Sequence, residues 1–255
     1  MPLDLVTIPC LKDNYAFLVH DSESGATAVV DVPEAAPILK ELQARKWQLT
    51  DILVTHHHDD HIAGLPALRD ATGAQVWGAK ADAHRLPPLD HALAEGDSVT
   101  IGTHRGRVMD VSGHTIGHIA FHFPKAGLAF TADSLMAAGC GRLFEGSAQT
   151  MWASLSKLAA LPPETLICSG HEYTTTNIRF ALSLEPGNPA LISRASQVAL
   201  AREDVRPTVP STLSEELATN PFLRASLPQM KAAIGLPDAT DAEAFAEIRA
   251  LKDRF

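Results

Sequence analysis

The chain has 255 residues, 45% hydrophobic and 20% charged, which is typical of a soluble globular protein with one large domain or one domain plus a smaller appendage. Its formal net charge of −9, without any run of Lys and Arg, argues against a nucleic-acid surface. No stretch approaches the roughly 18 apolar residues of a membrane helix, and the start, MPLDLVTIPC, lacks the basic and apolar segments of a signal peptide. We therefore expect no membrane or nucleic-acid partner.

The three cysteines lie far apart in the sequence, and none belongs to a CxxC motif. Such a sparse, odd set is typical of reduced thiols in a reducing compartment rather than of a disulfide framework. The pattern predicts a cytoplasmic protein in which Cys10 and Cys168 are small buried hydrophobic residues.

The first part of the chain alternates short β-type runs with turns and helical patterns, and a turn signal at residues 21–25 predicts a hairpin. Helices are predicted at residues 33–45, 62–71 and 151–160. The predicted strands are residues 15–19, 26–31, 51–55, 75–78, 98–101, 107–111, 118–123, 128–131 and 166–169.

Strand signals fade after about residue 172, and the chain there favours helices separated by prolines. We therefore predict a catalytic α/β domain at residues 1–172 and a helical domain at residues 173–255. The predicted helices of this second part are residues 177–184, 189–202, 214–218 and 241–252.

The stretch THHHDDH concentrates four histidines and two aspartates directly after a predicted strand. Alternate residues of an extended loop point the same way, so His56 and His58 can face one point while His57 faces away. Asp60 and His61 begin the next turn or helix and can face a second point nearby. Imidazole and carboxylate groups bind divalent ions such as Zn²⁺, so the stretch predicts part of a metal site.

Four local ligands cannot complete two coordination spheres, so further ligands must come from elsewhere in the chain. His114, Asp133 and His171 each lie in a loop after a predicted strand, where functional sites usually lie, and the two carboxylate oxygens of Asp133 could bridge two ions. The predicted spheres, each with an open position for water, are His56, His58 and His114 for one ion and Asp60, His61 and His171 for the other.

Four of these seven residues have a simpler interpretation when taken alone. A single His114 or His171 is more often a hydrogen-bonded structural residue, Asp60 a helix N-cap and Asp133 a turn residue. The metal interpretation is favoured because all seven residue types match two metal spheres, whereas a histidine-rich metal sink would not need distant aspartates. The histidines outside this pattern are interpreted as surface or structural residues: His20, His84, His91, His104, His118 and His122.

The HxHxDH pattern followed by distant His, Asp and His closely resembles the metallo-β-lactamase superfamily. This resemblance implies an α/β fold of the αββα sandwich type, in which two sheets pack face to face with helices outside, followed by a C-terminal helical domain. The superfamily includes lactamases, lactonases, nucleases and persulfide dioxygenases, so the signature does not identify the substrate.

More specific stretches resemble the glyoxalase II, or hydroxyacylglutathione hydrolase, family over essentially the whole chain: GCGRLFEG, GHEYT, NPFLR and the final RALKDRF. The resemblance implies that the seven residues named above bind two divalent metal ions, with Asp133 bridging. It also implies that Asp133 and Asp60 act in catalysis beside a metal-bridging hydroxide. Zn²⁺ is favoured, with Fe²⁺ and Mn²⁺ as alternatives that accept the same ligands.

The family's glutathione-binding positions correspond to Arg142, Phe144, Tyr173, Arg249 and Lys252 in this chain. Phe144 stands where some members have Tyr, which removes a hydroxyl contact to glutathione. The segment DVPE replaces a common DPGE turn, although its first residue, Asp31, remains as an expected acceptor behind the metal ligands. From spacing alone, Arg249 and Lys252 would be interpreted as a solvated helix face.

The chemistry of a thioester suits this predicted site. Metal binding lowers the pKa of water to about 7, and a thiol with a pKa near 8.5 leaves with little protonation. The expected reaction is hydrolysis of S-D-lactoylglutathione and related S-2-hydroxyacylglutathiones to a 2-hydroxy acid and glutathione, the second step of methylglyoxal detoxification. The alternatives are an iron-dependent persulfide dioxygenase and a non-catalytic binding protein of the same fold. We expect a monomer that acts on a small-molecule glutathione thioester.

Overall fold

The computed structural model describes residues 3–255, so Met1 and Pro2 of the predicted catalytic domain lie outside the described part. Backbone contacts group the chain into two compact units. Unit 1 comprises the chain up to Val111 together with Ile116–Ala132, and unit 2 comprises Ser112–Thr115 together with Asp133–Phe255. The predicted division at residue 172 concerns function and stays a prediction.

The first sheet of unit 1 has six strands in the order β1-β2-β3-β4-β5-β6. The first three strands pair antiparallel, and the last three joints, β3–β4, β4–β5 and β5–β6, are parallel. The short hairpin between β2 and β3 is the one that the sequence predicts. The strands are Asp4–Cys10 (β1), Asn14–His20 (β2), Thr27–Val30 (β3), Asp51–Leu53 (β4), Gln75–Ala79 (β5) and His91–Leu93 (β6).

Four antiparallel strands of a second sheet also belong to unit 1: Ser98–Ile101 (β7), His104–Asp110 (β8), Ile119–Phe123 (β9) and Leu128–Ala132 (β10). The two sheets face each other, since the ring of Phe17 on β2 lies 5.8 Å from that of Phe130 on β10. The strand β2 is buried at every position but the last, which is expected of a strand covered on both faces.

The other face of the first sheet packs against the helices of unit 1: Ala35–Arg45 (α1), Asp59–Ile62 (α2) and Leu65–Thr72 (α3). Helices α1 and α3 bury Ile38, Leu42, Leu65 and Leu68 in one cluster with Ile52 of β4. This apolar cluster anchors both ends of the loop between β4 and α2, and that loop carries the sequence THHHDDH.

Unit 2 is mainly helical. A two-stranded hairpin, Leu135–Met136 (β11) and Gly139–Cys140 (β12), precedes the first helix, and a short antiparallel pair joins Leu166–Ser169 (β13) to Ser211–Thr212 (β14). Its helices are Ala148–Ala159 (α4), Thr174–Leu184 (α5), Pro189–Glu203 (α6), Leu213–Thr219 (α7), Pro228–Ala233 (α8) and Asp241–Arg254 (α9).

All of the predicted strands and helices are present, with ends that shift by a few residues. The sequence prediction missed β1, β6, β11, β12, β14 and α8. Each missed strand other than β1 has only two or three residues, which is too short for a period-2 pattern to be recognised. Between residues 3 and 255, no helix combines the length and the apolar character needed to cross a membrane.

Candidate metal centre

The THHHDDH loop leaves the carboxyl end of β4, a parallel strand in the middle of the first sheet. Ligand sites of open α/β sheets usually lie at this end of the strands. The neighbouring strand β3 ends beside it, so Asp31 directly after β3 reaches the loop. Asp31 has a left-handed backbone conformation, with φ of 58°, which aspartate tolerates better than most residues.

The buried carboxylate of Asp31 organises the start of this loop. Its Oδ1 accepts the Thr55 N–H at 2.9 Å, and its Oδ2 accepts the Thr55 hydroxyl and the His61 Nδ1–H, both at 2.8 Å. Because Nδ1 of His61 donates to a carboxylate, Nε2 of the neutral ring carries the lone pair. The sequence prediction that Asp31 supports the metal loop agrees with these contacts.

His56 and His58 bring two ring nitrogens together, as their i, i+2 spacing predicts. Nδ1 of His56 lies 3.0 Å from the hydroxyl oxygen of Thr55, and its Nε2 lies 3.2 Å from Nδ1 of His58. Two nitrogens bound to one tetrahedral Zn²⁺ at about 2.1 Å would lie about 3.4 Å apart. The observed separation therefore fits two ligands of one metal ion.

Asp60 and His61 also lie together at the start of α2. Oδ2 of Asp60 is 3.9 Å from Nε2 of His61, and the Asp60 side chain is 43% exposed. Asn14, which is buried, donates from Nδ2 to both the carboxylate and the carbonyl of Asp60 at 3.0 Å. The amide of Asn14 thus holds the orientation of Asp60.

His57 points away from His56 and His58, in agreement with the prediction. Its Nδ1 donates to Oδ2 of the buried Asp82 at 2.9 Å. A side chain at Gly117 would collide with that carboxylate, because its Cβ would lie 2.1 Å from Cγ of Asp82. The middle histidine of the loop therefore serves as a tether.

Unit 2 places Asp133 between two histidines. Oδ2 of Asp133 lies 3.4 Å from Nε2 of His114 and 3.4 Å from Nε2 of His171. The backbone carbonyl of Arg142 accepts the Nδ1–H of His114 at 2.8 Å, so Nε2 of the neutral ring carries the lone pair. One carboxylate oxygen at equal distances from two imidazole nitrogens is the arrangement expected of a ligand shared by two metal ions.

The imidazole nitrogens and carboxylate oxygens in each unit thus fit divalent metal ions by type and spacing. In unit 1 these are the ring nitrogens of His56 and His58, 3.2 Å apart, and Oδ2 of Asp60 with Nε2 of His61, 3.9 Å apart. The buried imidazoles and carboxylates are the groups that Zn²⁺, Fe²⁺ and Mn²⁺ accept, and their outer nitrogens are oriented by hydrogen bonds, as is usual for metal-binding histidines.

Two predicted substrate-binding residues of unit 2 are aromatic and stand next to its histidines. Phe144 is 62% exposed, and its ring meets that of His114 edge-on at 5.3 Å. The ring of Tyr173 stacks on His171, with centroids 4.7 Å apart and planes inclined by 7°. Both rings leave a face or an edge in contact with solvent, where a ligand could pack.

The three basic residues predicted to bind substrate differ in burial. Arg142 is exposed, with Nε 3.9 Å from Asp253. Arg249 is buried: its Nη1 donates to the Cys140 carbonyl at 3.0 Å, and its Nη2 donates to Asp253 at 2.8 Å. This burial differs from the solvated helix face that spacing alone would indicate.

Lys252 is half-buried on α9. Its Nζ donates to the Thr176 carbonyl at 3.2 Å and lies 5.2 Å from the centre of the Phe180 ring. Burial and, to a smaller extent, the guanidinium groups of Arg249, Arg179 and Arg142 together lower the pKa of this amine to about 8. An anionic ligand would reverse this effect, so the environment favours a carboxylate near Lys252.

The cysteines have no role as nucleophiles in this structure. All three are free and buried, as predicted for Cys10 and Cys168. Burial raises the pKa of Cys10 and Cys140 to about 11 and also raises the pKa of Cys168. The thiols stay protonated near neutral pH, which leaves them unreactive.

Sequence reasoning missed the supporting residues Asn14 and Asp82, and it left His118 without a specific role. His118 is fully buried, and its ring stacks on His56 at 4.6 Å with planes inclined by 10°. None of the three belongs to the THHHDDH motif, and each contacts the loop only because the folded chain brings it there. Their sequence signal is limited to a polar residue inside or beside an apolar run.

Comparisons with known proteins identify the family of this chain. A model of the metallo-beta-lactamase superfamily matches residues 14–171, and a model of the hydroxyacylglutathione hydrolase C-terminus matches residues 172–255. A hydroxyacylglutathione hydrolase of Fuscovulum blasticum is 69% identical over 255 residues, covering 100% of both chains. One from Cereibacter sphaeroides is 68% identical over 255 residues, again covering 100% of both chains.

Among solved structures, the BLEG-1 B3 metallo-beta-lactamase has a TM-score of 0.68 at 22% identity, and the match covers 86% of this chain and 99% of that chain. This likeness confirms the predicted α/β fold class, a metallo-β-lactamase-like αββα sandwich with a C-terminal helical region. The two family models and the full-length matches at 69% and 68% identity confirm the resemblance that the sequence motifs indicated. The chain belongs to the hydroxyacylglutathione hydrolase family of the metallo-β-lactamase superfamily.

Proposed function

We propose that the protein hydrolyses the thioester of S-D-lactoylglutathione and related S-2-hydroxyacylglutathiones to a 2-hydroxy acid and glutathione. The observation that carries this proposal is the identity of up to 69%, over the full length, to proteins named hydroxyacylglutathione hydrolase. The reaction is the second step of methylglyoxal detoxification, and we place it in the cytoplasm with the protein acting as a monomer. Residues 1–172 would form the catalytic domain and residues 173–255 the glutathione-binding domain.

The proposed cofactor is a pair of divalent metal ions, with Zn²⁺ favoured over Fe²⁺ and Mn²⁺. Support comes from nitrogen and oxygen atoms spaced like ligands of one ion within each unit: His56 and His58, Asp60 and His61, and Asp133 with each of its two histidines. The proposed ligands are His56, His58 and His114 for one ion and Asp60, His61 and His171 for the other, with Asp133 shared.

Metal ions held by these side chains supply a water nucleophile that ionises near neutral pH and a Lewis acid for the thioester carbonyl. The chain itself fixes the donors before substrate arrives: Asp31 orients His61, and the Arg142 carbonyl orients His114. Asp60 is held by Asn14 with its carboxylate partly exposed, which suits it to orient the attacking water. Such preorganisation of charged groups is the main contribution expected from the protein.

Glutathione carries two carboxylates, and this acidic protein needs local cations to bind them. Lys252 and the exposed Arg142 are the proposed partners of these carboxylates, with Arg249 adding positive charge from its buried position. Tyr173 would donate to the peptide part of glutathione, and Phe144 would contribute an apolar face instead of a hydroxyl. The glutathione thiolate is a good leaving group, so the site needs no additional general acid.

An iron-dependent persulfide dioxygenase remains the rival activity within the superfamily, and it is less supported. The relatives that match this chain at 69% and 68% identity are named as hydrolases. A dioxygenase would consume oxygen when given glutathione persulfide, which a thioesterase would not.

The deciding experiment follows the absorbance of the thioester band of S-D-lactoylglutathione, with metal content measured on the same protein sample. We expect hydrolysis that requires about two metal ions per chain, disappears after chelation and returns when metal is added. A fully metallated protein that leaves the thioester intact would overturn the proposal. Oxygen uptake with glutathione persulfide would then establish the rival activity.

A further inference from the structure

The hairpin formed by β11 and β12 is an unusual feature of unit 2. It is a tight turn in which Leu135 pairs with Cys140 and Met136 with Gly139, and residues 135–140 are all buried. Ala138 at its tip has a φ of 52°, a left-handed conformation that is costly for a residue other than glycine. Buried backbone groups at such a tip need hydrogen-bond partners, and a two-residue strand pair cannot supply them all.

Side chains from the helical region supply these partners. The buried Glu216 accepts the Ala138 N–H on Oε2 at 2.8 Å. Nδ2 of Asn220 donates to two carbonyls of the hairpin, at 3.1 and 2.9 Å, and Nδ2 of Asn177 donates to a third at 3.0 Å. With the Arg249 bond described above, the hairpin carbonyls held in this way are those of Met136, Ala137, Gly139 and Cys140.

The side chains that hold the hairpin are themselves fixed by a buried polar network. Oε1 of Glu216 accepts from Nη2 of Arg194 at 2.5 Å and from the Ser211 hydroxyl at 2.6 Å. Nδ2 of Asn220 also donates to Oε2 of Glu216 at 3.0 Å. Removal of either partner would leave a buried polar group without its hydrogen bond, so these bonds hold the Glu216 carboxylate in one orientation.

The hairpin in turn touches the candidate metal ligands of unit 2. Asp133 lies two residues before its first residue, Leu135, and Gly141 directly after it donates its N–H to the Ser134 carbonyl at 3.2 Å. A Cβ at Gly141 would lie 2.0 Å from the Asp133 carbonyl oxygen, so the two ends of the hairpin are in close contact. The next carbonyl, that of Arg142, orients His114. Any displacement of the hairpin would therefore move Asp133 and rotate His114.

We propose that Asn177, Asn220 and Glu216 are positioning residues for the metal centre: they fix the β11–β12 hairpin and, through it, Asp133 and the carbonyl that orients His114. The helical region thus has a second task besides binding glutathione. The part of this inference that concerns metal retention rests on the proposed function, whereas the part that concerns the hairpin does not.

The test compares three asparagine variants, N177A, N220A and the control N188A. Asn188 also donates from Nδ2 to a backbone carbonyl of unit 2, that of Ala218 at 3.0 Å, but it does not contact the hairpin. Two quantities are measured: hydrogen–deuterium exchange of residues 135–141 in chelated protein, and the rate of zinc release to a chelator from loaded protein. Thermal unfolding of all three variants separates a local effect from a global loss of stability.

We expect N177A and N220A to exchange the hairpin amides and to release zinc about tenfold faster than N188A at a similar melting temperature, since partners of metal ligands typically change metal affinity by this order. Hairpin exchange equal to that of N188A would overturn the inference. Faster exchange with unchanged zinc release would overturn the link to the metal centre. If N220A does not fold, N177A decides by the same comparison. A wild-type protein that binds no metal would instead refute the proposed function. It would not refute the part of the inference that concerns the hairpin, because hairpin exchange is measured in chelated protein.

Discussion

The candidate metal ligands of unit 1 and those of unit 2 are held in different ways. In unit 1, the THHHDDH loop leaves one buried strand, and buried carboxylates of unit 1, Asp31 and Asp82, hold it from either side. In unit 2, the segment that follows Asp133 has little secondary structure of its own, and side chains from α5, α7 and α9 hold it over sequence separations of 40 to 109 residues.

This difference shows how a protein can position ligands with or without a regular element. The position of a loop at the end of a central strand is fixed by the sheet, so the loop needs few additional contacts. A short hairpin has no such scaffold, so nearly every backbone group must be held separately. We therefore expect that substitution of a single carboxylate is enough to displace the metal ligands of the unit 1 loop. In unit 2, substitution of any one supporting side chain should have a smaller effect, because several side chains hold the segment.

The largest effect is expected for Asp133→Ala. Its Oδ2 lies 3.4 Å from both His114 and His171, so its loss would remove the ligand that the two ions share. We expect kcat for thioester hydrolysis to fall by about 10³-fold or more and metal content to drop below two ions per chain. Asp238→Ala, which changes an exposed aspartate of unit 2, is the control. A variant that retains both metal ions and near-normal kcat would exclude the shared role.

A smaller but still large effect is expected for Asp31→Asn in unit 1. The amide keeps the size of the carboxylate but faces three donors with one acceptor oxygen, and it can donate to Nδ1 of His61, which moves that proton to Nε2. We expect metal affinity to fall by about 10- to 100-fold, measured by competition with a chelator. Asp51→Asn is the control, because this half-buried carboxylate accepts from Trp77 Nε1 at the start of β4, at the end of the strand away from the THHHDDH loop.

Lys252→Ala should separate substrate binding from chemistry. The amine lies near the positive charges of Arg142 and Arg249, and it is far in sequence from every proposed metal ligand. Its removal should therefore weaken the binding of the glutathione carboxylates without disturbing the metal ligands. We expect KM to rise about tenfold while kcat changes by less than about twofold. Lys231→Ala, which breaks the ion pair with Asp241, is the matched control. An unchanged KM would remove Lys252 from the glutathione site.

The smallest effect is a pH dependence of the same residue. With a pKa lowered to about 8 by burial, Lys252 is about nine-tenths protonated at pH 7 and about one-tenth protonated at pH 9. Because the protonated form binds the anionic substrate, KM should rise as pH increases through this range. Steady-state kinetics of wild type and Lys252→Arg test this, since arginine stays charged. An identical rise of KM in the arginine variant would assign the titration to another group.

Most regular elements were predictable because their signals are local. Residues 51–55 form an apolar run that becomes β4, and the turn signal at 21–25 becomes the β2–β3 hairpin. The hairpin of β11 and β12 was not predictable, because its sequence, LMAAGC, has no alternation of polar and apolar residues. Its conformation depends on Glu216 and Asn220, which lie about 80 residues later in the chain.

By itself, the sequence determined the types and spacing of the metal-binding residues, the family and the order of the main strands and helices. These follow from short-range chemistry, since HxHxDH after a strand needs only a few neighbouring residues to be recognised. The sequence also predicted Asp31 as a supporting residue, but only the tertiary structure decided which other residues hold the ligands in place: Asn14 and Asp82 in unit 1, and Asn177, Glu216 and Asn220 in unit 2. Hydrogen bonds of this kind join residues far apart in sequence, and only folding brings the donors and acceptors within about 3 Å of each other.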